Sequence, residues 1–202
     1  ADVLIRAIRV SGIDAKGRVV RILEKVGANA VLKEIEQLQG DEIVKTYFNE
    51  LLVRIEDESD LKATARRISK SLKSDQSILD LVERNSHILF SMPMVTEAFL
   101  IAAMAEIKSE SQVFAILERA LRRNLTSEAT NQVFRKIDGF ESGLYKATLL
   151  DYAFGNYLNE RQILKALSIV ETLQSDRFKF EVLRRGCDLV GQSGEGVKTN
   201  FI

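Results

Sequence analysis

Apolar residues return along the chain at the helical spacing i, i+3, i+4, i+7, in short runs broken by Ser, Gly and acidic residues. Val31, Leu32, Ile35 and Leu38 form one run, and Val44, Phe48, Leu51, Leu52 and Ile55 the next. Towards the far end Leu164, Leu167, Val170 and Leu173 are followed by Phe180, Leu183, Cys187 and Val190. Two-residue alternation is missing and Pro93 is the only proline, so the pattern predicts helices throughout and no strands.

The breaks repeat. They read Leu38-Gln39-Gly40-Asp41, Leu72-Lys73-Ser74-Asp75, Ile107-Lys108-Ser109-Glu110, Phe140-Glu141-Ser142-Gly143 and Leu173-Gln174-Ser175-Asp176, with a weaker copy at Val10-Ser11-Gly12-Ile13. The last residues of these tetrads, taken as reference positions, are spaced 28, 34, 35, 33 and 33 apart. Ten residues before them stand Val3, Val31, Ala65, Leu100, Val133 and Ala166; seven after them stand Val20, Phe48, Val82, Leu117, Leu150 and Leu183. The chain is 46% hydrophobic, so two wholly apolar columns are not a chance result. A period of this length marks a stacked-repeat protein.

Each break has the chemistry of a helix start. The Ser oxygen can accept from an unpaired amide of the first turn, and Asp41, Asp75, Glu110 and Asp176 then meet the positive end of the helix dipole. Gly40 can also close the helix before it. Each unit therefore reads as a helix A, a tight turn and a helix B, with looser boundaries between units at Glu56–Ser59, Ser91–Pro93, Asn124–Glu128 and Asn156–Glu160. One such pair cannot bury its own apolar stripe, whereas a stack of pairs makes a continuous core.

The expected fold is all-α, a right-handed α-α superhelix (solenoid) of about six helical hairpins with a period of about 33–35 residues. Residues 1–190 are expected to form a single α-solenoid domain, and the glycine-bearing stretch 191–202 a flexible or docking C-terminal tail. The arrangement resembles HEAT-like and other helix-hairpin repeat proteins over nearly the whole chain. That likeness is architectural; the chain has no Trp and does not carry the Gly, Tyr and Pro positions of a tetratricopeptide motif repeat after repeat.

Lys plus Arg and Asp plus Glu number 29 each, interspersed along the helices, a composition without polyelectrolyte tails. No apolar run approaches the roughly 20 residues of a membrane span. The single Cys187 excludes an internal disulfide and leaves the compartment open. Position 1 is Ala and Val3, Leu4 and Ile8 are already periodic, so the chain is read as a mature form or a piece of a longer polypeptide. The first unit carries few charges beyond Arg6 and Arg9, which makes its outer face the expected place for any self-association.

The chemical inventory points away from catalysis. His87 is the only histidine and lies a hundred residues from Cys187, so neither a metal set nor a Cys–His pair is expected, and no cofactor is implied. Cys187 shares a column with Leu52, Leu121 and Phe154 and reads as a small buried hydrophobe. The glycines at 191–196 lack the Gly-Lys-Ser/Thr of a phosphate loop.

Nine positions after the references, helix B carries Ile22, Glu50, Arg84, Arg119, Tyr152 and Arg185, of which Arg84, Arg119 and Arg185 make an interrupted basic ridge with Tyr152 inside it if the hairpins stack side by side. Helix A adds Lys33, Arg67 and Arg135, near Arg66, Lys70 and Lys136. The column beside the ridge holds Glu83, Glu118 and Asp151, which would cancel much of its field, and Glu118 has an i, i+4 partner in Arg122. The expected function is a non-catalytic scaffold for a protein or peptide, with Arg84, Arg119, Tyr152 and Arg185 as contact residues, a reading compatible with an accessory domain of a longer protein. The alternative is nucleic-acid binding along the ridge, against which overall neutrality argues.

Overall fold

A computed structural model describes residues 10–156 and 158–190, with side chains described as far as 187. Among these residues there are eleven α-helices and no strand. In chain order they are α1 (Ala15–Val26), α2 (Ala28–Ile35), α3 (Asp41–Leu52), α4 (Glu58–Ser71), α5 (Asp75–Leu89), α6 (Pro93–Glu106), α7 (Glu110–Ala120), α8 (Ser127–Asp138), α9 (Gly143–Phe154), α10 (Glu160–Glu171) and α11 (Asp176–Val190). Five complete hairpins follow α1, the helix B of the first unit. The expected tail at 191–202 lies outside the described residues, as do Val3, Leu4 and Ile8 of the first unit.

Packing divides the chain into two compact units, Ala1–Gln112 and Val113–Ile202, with the division inside α7. In the first, α2, α4 and α6 pack as successive A helices, and α1, α3 and α5 as successive B helices. In the second, α8 packs on α10 and α9 on α11. Within each unit A helices thus pack on A helices and B helices on B helices one repeat on, with hairpin contacts between α2 and α3, α4 and α5, α8 and α9, and α10 and α11, the consecutive pattern of a helical repeat.

The apolar columns form the core. Val31, Ala65, Leu100, Val133 and Ala166 are fully buried, as are Phe48, Val82, Leu117 and Leu150. A third column, six after the reference, is equally closed: Val19, Tyr47, Leu81, Ile116, Leu149 and Val182. Removing a Leu, Val or Phe side chain of this kind from water contributes about 1.5–3 kcal/mol.

Three of the predicted serine caps are present: Ser74, Ser142 and Ser175 accept from the amides of Ser77, Tyr145 and Phe178, whereas the Ser109 hydroxyl pairs with that of Ser111 at 3.1 Å. At the looser boundaries Asp57 and Thr126 cap α4 and α8, Pro93 opens α6, and Asn159 with Gln162 forms a capping box on α10.

The acidic residue after the break does more than face its own helix. Asp41 accepts from the backbone amides of Lys73 (3.0 Å) and Ser74 (2.9 Å), in the turn of the next repeat. Asp75 in turn accepts from the amides of Lys108 (3.0 Å) and Ser109 (2.8 Å). Each carboxylate therefore clamps the next turn while sitting in the first turn of its own helix. Burial works against the charged form of Asp41, but the Lys73 and Ser74 amides, the Ser77 hydroxyl and the Lys73 charge outweigh it and lower its pKa. A buried Asn pair adds a second cross-repeat tie: Asn85 donates to Asn49 Oδ1 (2.6 Å) and to the Leu81 carbonyl (2.9 Å). The second bond draws on the helix's own ladder, and Asn85 is where α5 is kinked.

The last hairpin departs from its predicted stripe. Phe180 is 68% exposed and Leu164 and Cys187 are also exposed, whereas Val182, Ile163 and Ile169 take the core positions. Cys187 is thus not the buried hydrophobe that its column implied. The reason is positional: side chains four and eleven after the reference are covered by the following hairpin. Phe114, the equivalent of Phe180, stacks on Tyr145 of the next repeat with ring centroids 4.4 Å apart. Leu121, the equivalent of Cys187, lies beside Ala153 and Asn156. No described helix follows α11.

Asp75→Ala is expected to lower stability to urea by about 1 kcal/mol, through loss of the two amide bonds to the next turn. Because the Asp41 pKa is lowered on folding, its contribution is complete above its ordinary value and fades as pH falls through the folded value. The stability difference between the wild type and Asp41→Asn should accordingly be full at neutral pH and shrink below about pH 4.

Candidate interaction surfaces

In the first unit the helix-B face carries a cleft of about 210 Å³ between α3 and α5, lined by Glu42, Lys45, Thr46, Asn49, Asp80, Leu81 and Arg84. Its polar groups are already engaged with one another. Lys45 Nζ lies 2.6 Å from Glu42 and 3.2 Å from Asp80 Oδ2, and Gln76 donates to Asp80 Oδ1 at 2.7 Å. Gln112 donates to Gln76 at 3.1 Å, so a hydrogen-bonded line crosses three successive B helices. The Glu42 contact, and then Asp80, raise the pKa of Lys45; the Gln76 bond, followed by Lys45, lowers that of Asp80. Arg84 is exposed, and its charge also bears on Asp80.

In the second unit Tyr152 is the hub of the helix-B face. Its hydroxyl accepts from Arg122 Nη2 (3.0 Å) and donates to Glu118 Oε1 (3.2 Å), while Arg122 and Glu118 pair at 2.7 Å. The Arg122 guanidinium also stands 5.0 Å from the centre of the Tyr152 ring, a cation–π contact. The Arg122 bond, opposed by burial and helped by Tyr152, lowers the pKa of Glu118. Arg119 is half-buried and donates back to the Ala115 carbonyl at 2.8 Å, which is less open than the exposed position expected from sequence. Arg185 lies 3.6 Å from Asp151 and remains exposed.

The four residues picked from the sequence thus do not act as a free basic ridge. Tyr152 and Arg185 face carboxylates from neighbouring helices, as the acidic column beside them implied, and Arg84 stands in the first unit beside Asp80. Arg122 is the residue that the column missed: it reaches Tyr152 thirty positions away, a link that an i, i+4 pattern does not reveal.

Sequence reasoning also missed a groove of about 350 Å³ between α9 and α11. Leu144, Ala147, Phe178 and Val182 supply its apolar part, and Asp151, Tyr152, Glu181 and Arg184 its polar part. Leu144 is 54% exposed. The available signal was that α9, Gly-Leu-Tyr-Lys-Ala-Thr-Leu-Leu-Asp-Tyr-Ala-Phe, is apolar on nearly every side, which leaves some apolar surface facing out.

Among the described residues no group of three or more His, Cys, Asp or Glu side chains is placed to hold a metal ion, and no helix is long and apolar enough to cross a membrane. His87 is exposed.

The Glu118 carboxyl should titrate by NMR below its ordinary value, and its midpoint should rise in Arg122→Ala as the strongest bond to it is lost. No family model, curated protein or solved structure matches the chain.

Proposed function

We propose that the chain is a non-catalytic interaction scaffold: a right-handed α-α superhelix of HEAT-like type, one solenoid domain over residues 1–190, that holds a protein or peptide segment. The observation that carries this reading is the α9–α11 groove, where an exposed leucine and a phenylalanine lie beside hydrogen-bonding and charged groups on one helix-B face. Apolar floor with a polar margin is the composition of a protein-contact surface. Stacked hairpins supply the length of surface that an extended segment needs.

Of the residues picked from sequence, Tyr152 lines this groove and Arg185 lies on its border through Asp151. Arg84 and Arg119 lie elsewhere on helix B and are the weaker members of the set. Nucleic-acid binding along the same arginines gains little support, because Arg122 and Arg185 spend their charge on Glu118 and Asp151.

The test is a photo-crosslinking residue at position 144, with a control at Val26 in the first unit, an aliphatic position still more exposed. A defined protein should crosslink from 144 and not from 26, and Leu144→Glu with Arg185→Glu should abolish its capture while changing stability by only about 0.5 kcal/mol. Capture unaffected by both substitutions, or capture of nucleic acid that collapses with added salt, would overturn the reading.

A further inference from the structure

A second surface, on the helix-A side of the first unit, differs in kind from the helix-B face. Helix α6, Pro-Met-Val-Thr-Glu-Ala-Phe-Leu-Ile-Ala-Ala-Met-Ala-Glu, has no polar face. Val95, Ala98, Phe99, Leu100, Ala102 and Ala103 are buried, yet Met94 and Ile101 remain 41% and 42% exposed, and Met104 is half-buried. Positions 94, 97, 101 and 104 follow the 3-4-3 spacing of one helical stripe, interrupted only by Glu97. A helix apolar all round calls for cover on every side, and this stripe has it only in part.

The neighbouring helix α4 supplies the opposite chemistry. After Glu58 and Asp60 in its first turn, every charged residue of α4 is basic: Lys62, Arg66, Arg67 and Lys70. Arg67 is held by Glu36, the residue that follows α2. Lys62, Arg66 and Lys70 make no ion pair among the described residues, and Arg66 and Lys70 are exposed. Their i, i+4, i+8 spacing sets the three charges in a row, about 6 Å apart along the helix. A cleft of about 450 Å³ between α4 and α2, which Arg66 lines together with Arg67, adds Lys33, with Glu36 as its one acidic lining residue. Helices α4 and α6 are the most extensively packed pair in the unit. Arg66 and Ile101 hold the same place in their repeats, nine before Asp75 and Glu110, so the basic row runs alongside the apolar one.

We propose that the α4–α6 face docks an acidic amphipathic helix of another protein, apolar side against Met94 and Ile101 and carboxylates over Lys62, Arg66 and Lys70. Carboxylates at i, i+4 of such a helix have the pitch of the basic row, and a helix ridge fits the groove between two packed helices. This goes beyond the scaffold reading in naming a second face and a partner class, and it rests on that reading.

Charge complementarity selects this occupant over the two other polyanions. A phosphate backbone has nothing to place on Met94 and Ile101, and no aromatic ring stands exposed on α4 or α6 to stack a base. An anionic membrane is met by rings and long apolar side chains that project from the surface, whereas these two are recessed to about two-fifths exposure and the chain has no Trp.

The experiment is an unbiased selection of 16-residue peptides displayed against the full chain. Expected are peptides with Leu, Ile, Phe or Met at i, i+3 or i+4, and i+7, flanked by Asp or Glu. Each should bind about tenfold or more weakly to the Arg66→Glu/Lys70→Glu variant, whose sites are exposed and whose fold is therefore preserved, and to Ile101→Glu, but equally well to Leu144→Glu. Selected peptides without acidic bias, or indifferent to Arg66→Glu/Lys70→Glu, overturn the proposal, as does an empty selection. Peptides lost with Leu144→Glu instead overturn it and leave the scaffold reading standing. Binding of vesicles with 30% phosphatidylserine or of a 20-nucleotide single-stranded RNA through Arg66 and Lys70, with no peptide selected, reassigns the face and overturns it too.

Discussion

A hairpin of two short helices cannot bury both of its apolar stripes, so each one depends on the hairpin before it and the hairpin after it. That dependence explains the three buried columns. A side chain ten before, six after or seven after the reference position meets its equivalents in adjacent repeats, and Val31, Tyr47 and Phe48 are closed for the same reason as Ala65, Leu81 and Val82. It also explains where burial fails. Phe114 is covered by Tyr145 of the next repeat, while Phe180, at the same place in the last described hairpin, has no such ring against it among the described residues.

The polar ties follow the same logic. Asp41 and Asp75 each join a helix start in one repeat to two amides in the turn of the next, and Asn85 joins Asn49 across the B layer. Hydrophobic columns hold neighbouring repeats together without fixing their sliding. Directional bonds at the turns give each stacking step a register, because a carboxylate can accept from an amide pair only at one offset. Where Gly143 replaces the acid, that link is absent by composition, and in the second unit the cross-repeat ties are made elsewhere, by Tyr152 to Glu118 and by Asn156 to the Leu121 carbonyl.

The surfaces differ in how far they satisfy themselves. On helix B, Lys45 is matched by Glu42 and Asp80, Arg122 by Glu118 and Tyr152, and Arg185 by Asp151, while Arg84 stays exposed beside Asp80. Such a face has little net field and recognises by shape and by what its grooves expose, Leu144 above all. On helix A of the first unit Lys62, Arg66 and Lys70 of α4 make no ion pair among the described residues and stand beside an incompletely covered α6, so charge and apolar contact stand together. A helical repeat can present different chemistries on its two layers, since only the inward columns are constrained by stacking.

The sequence by itself determined the repeat, the helix-turn-helix unit, the capping serines and the core columns. These are local or periodic properties: a cap needs three residues, and an apolar column needs only that the same face recur. It also showed that acidic residues flank the helix-B arginines. Only the tertiary structure decided the rest, because most of the deciding partners lie in a neighbouring repeat, about thirty residues away in the chain. The second role of Asp41, the reach of Arg122 to Tyr152, the partly buried state of Arg119 and the outward turn of Phe180 and Cys187 all depend on which side of a helix the next hairpin covers. Periodicity names the face that points inward; the neighbouring repeat decides which of the remaining side chains meet a partner and which are left for something else.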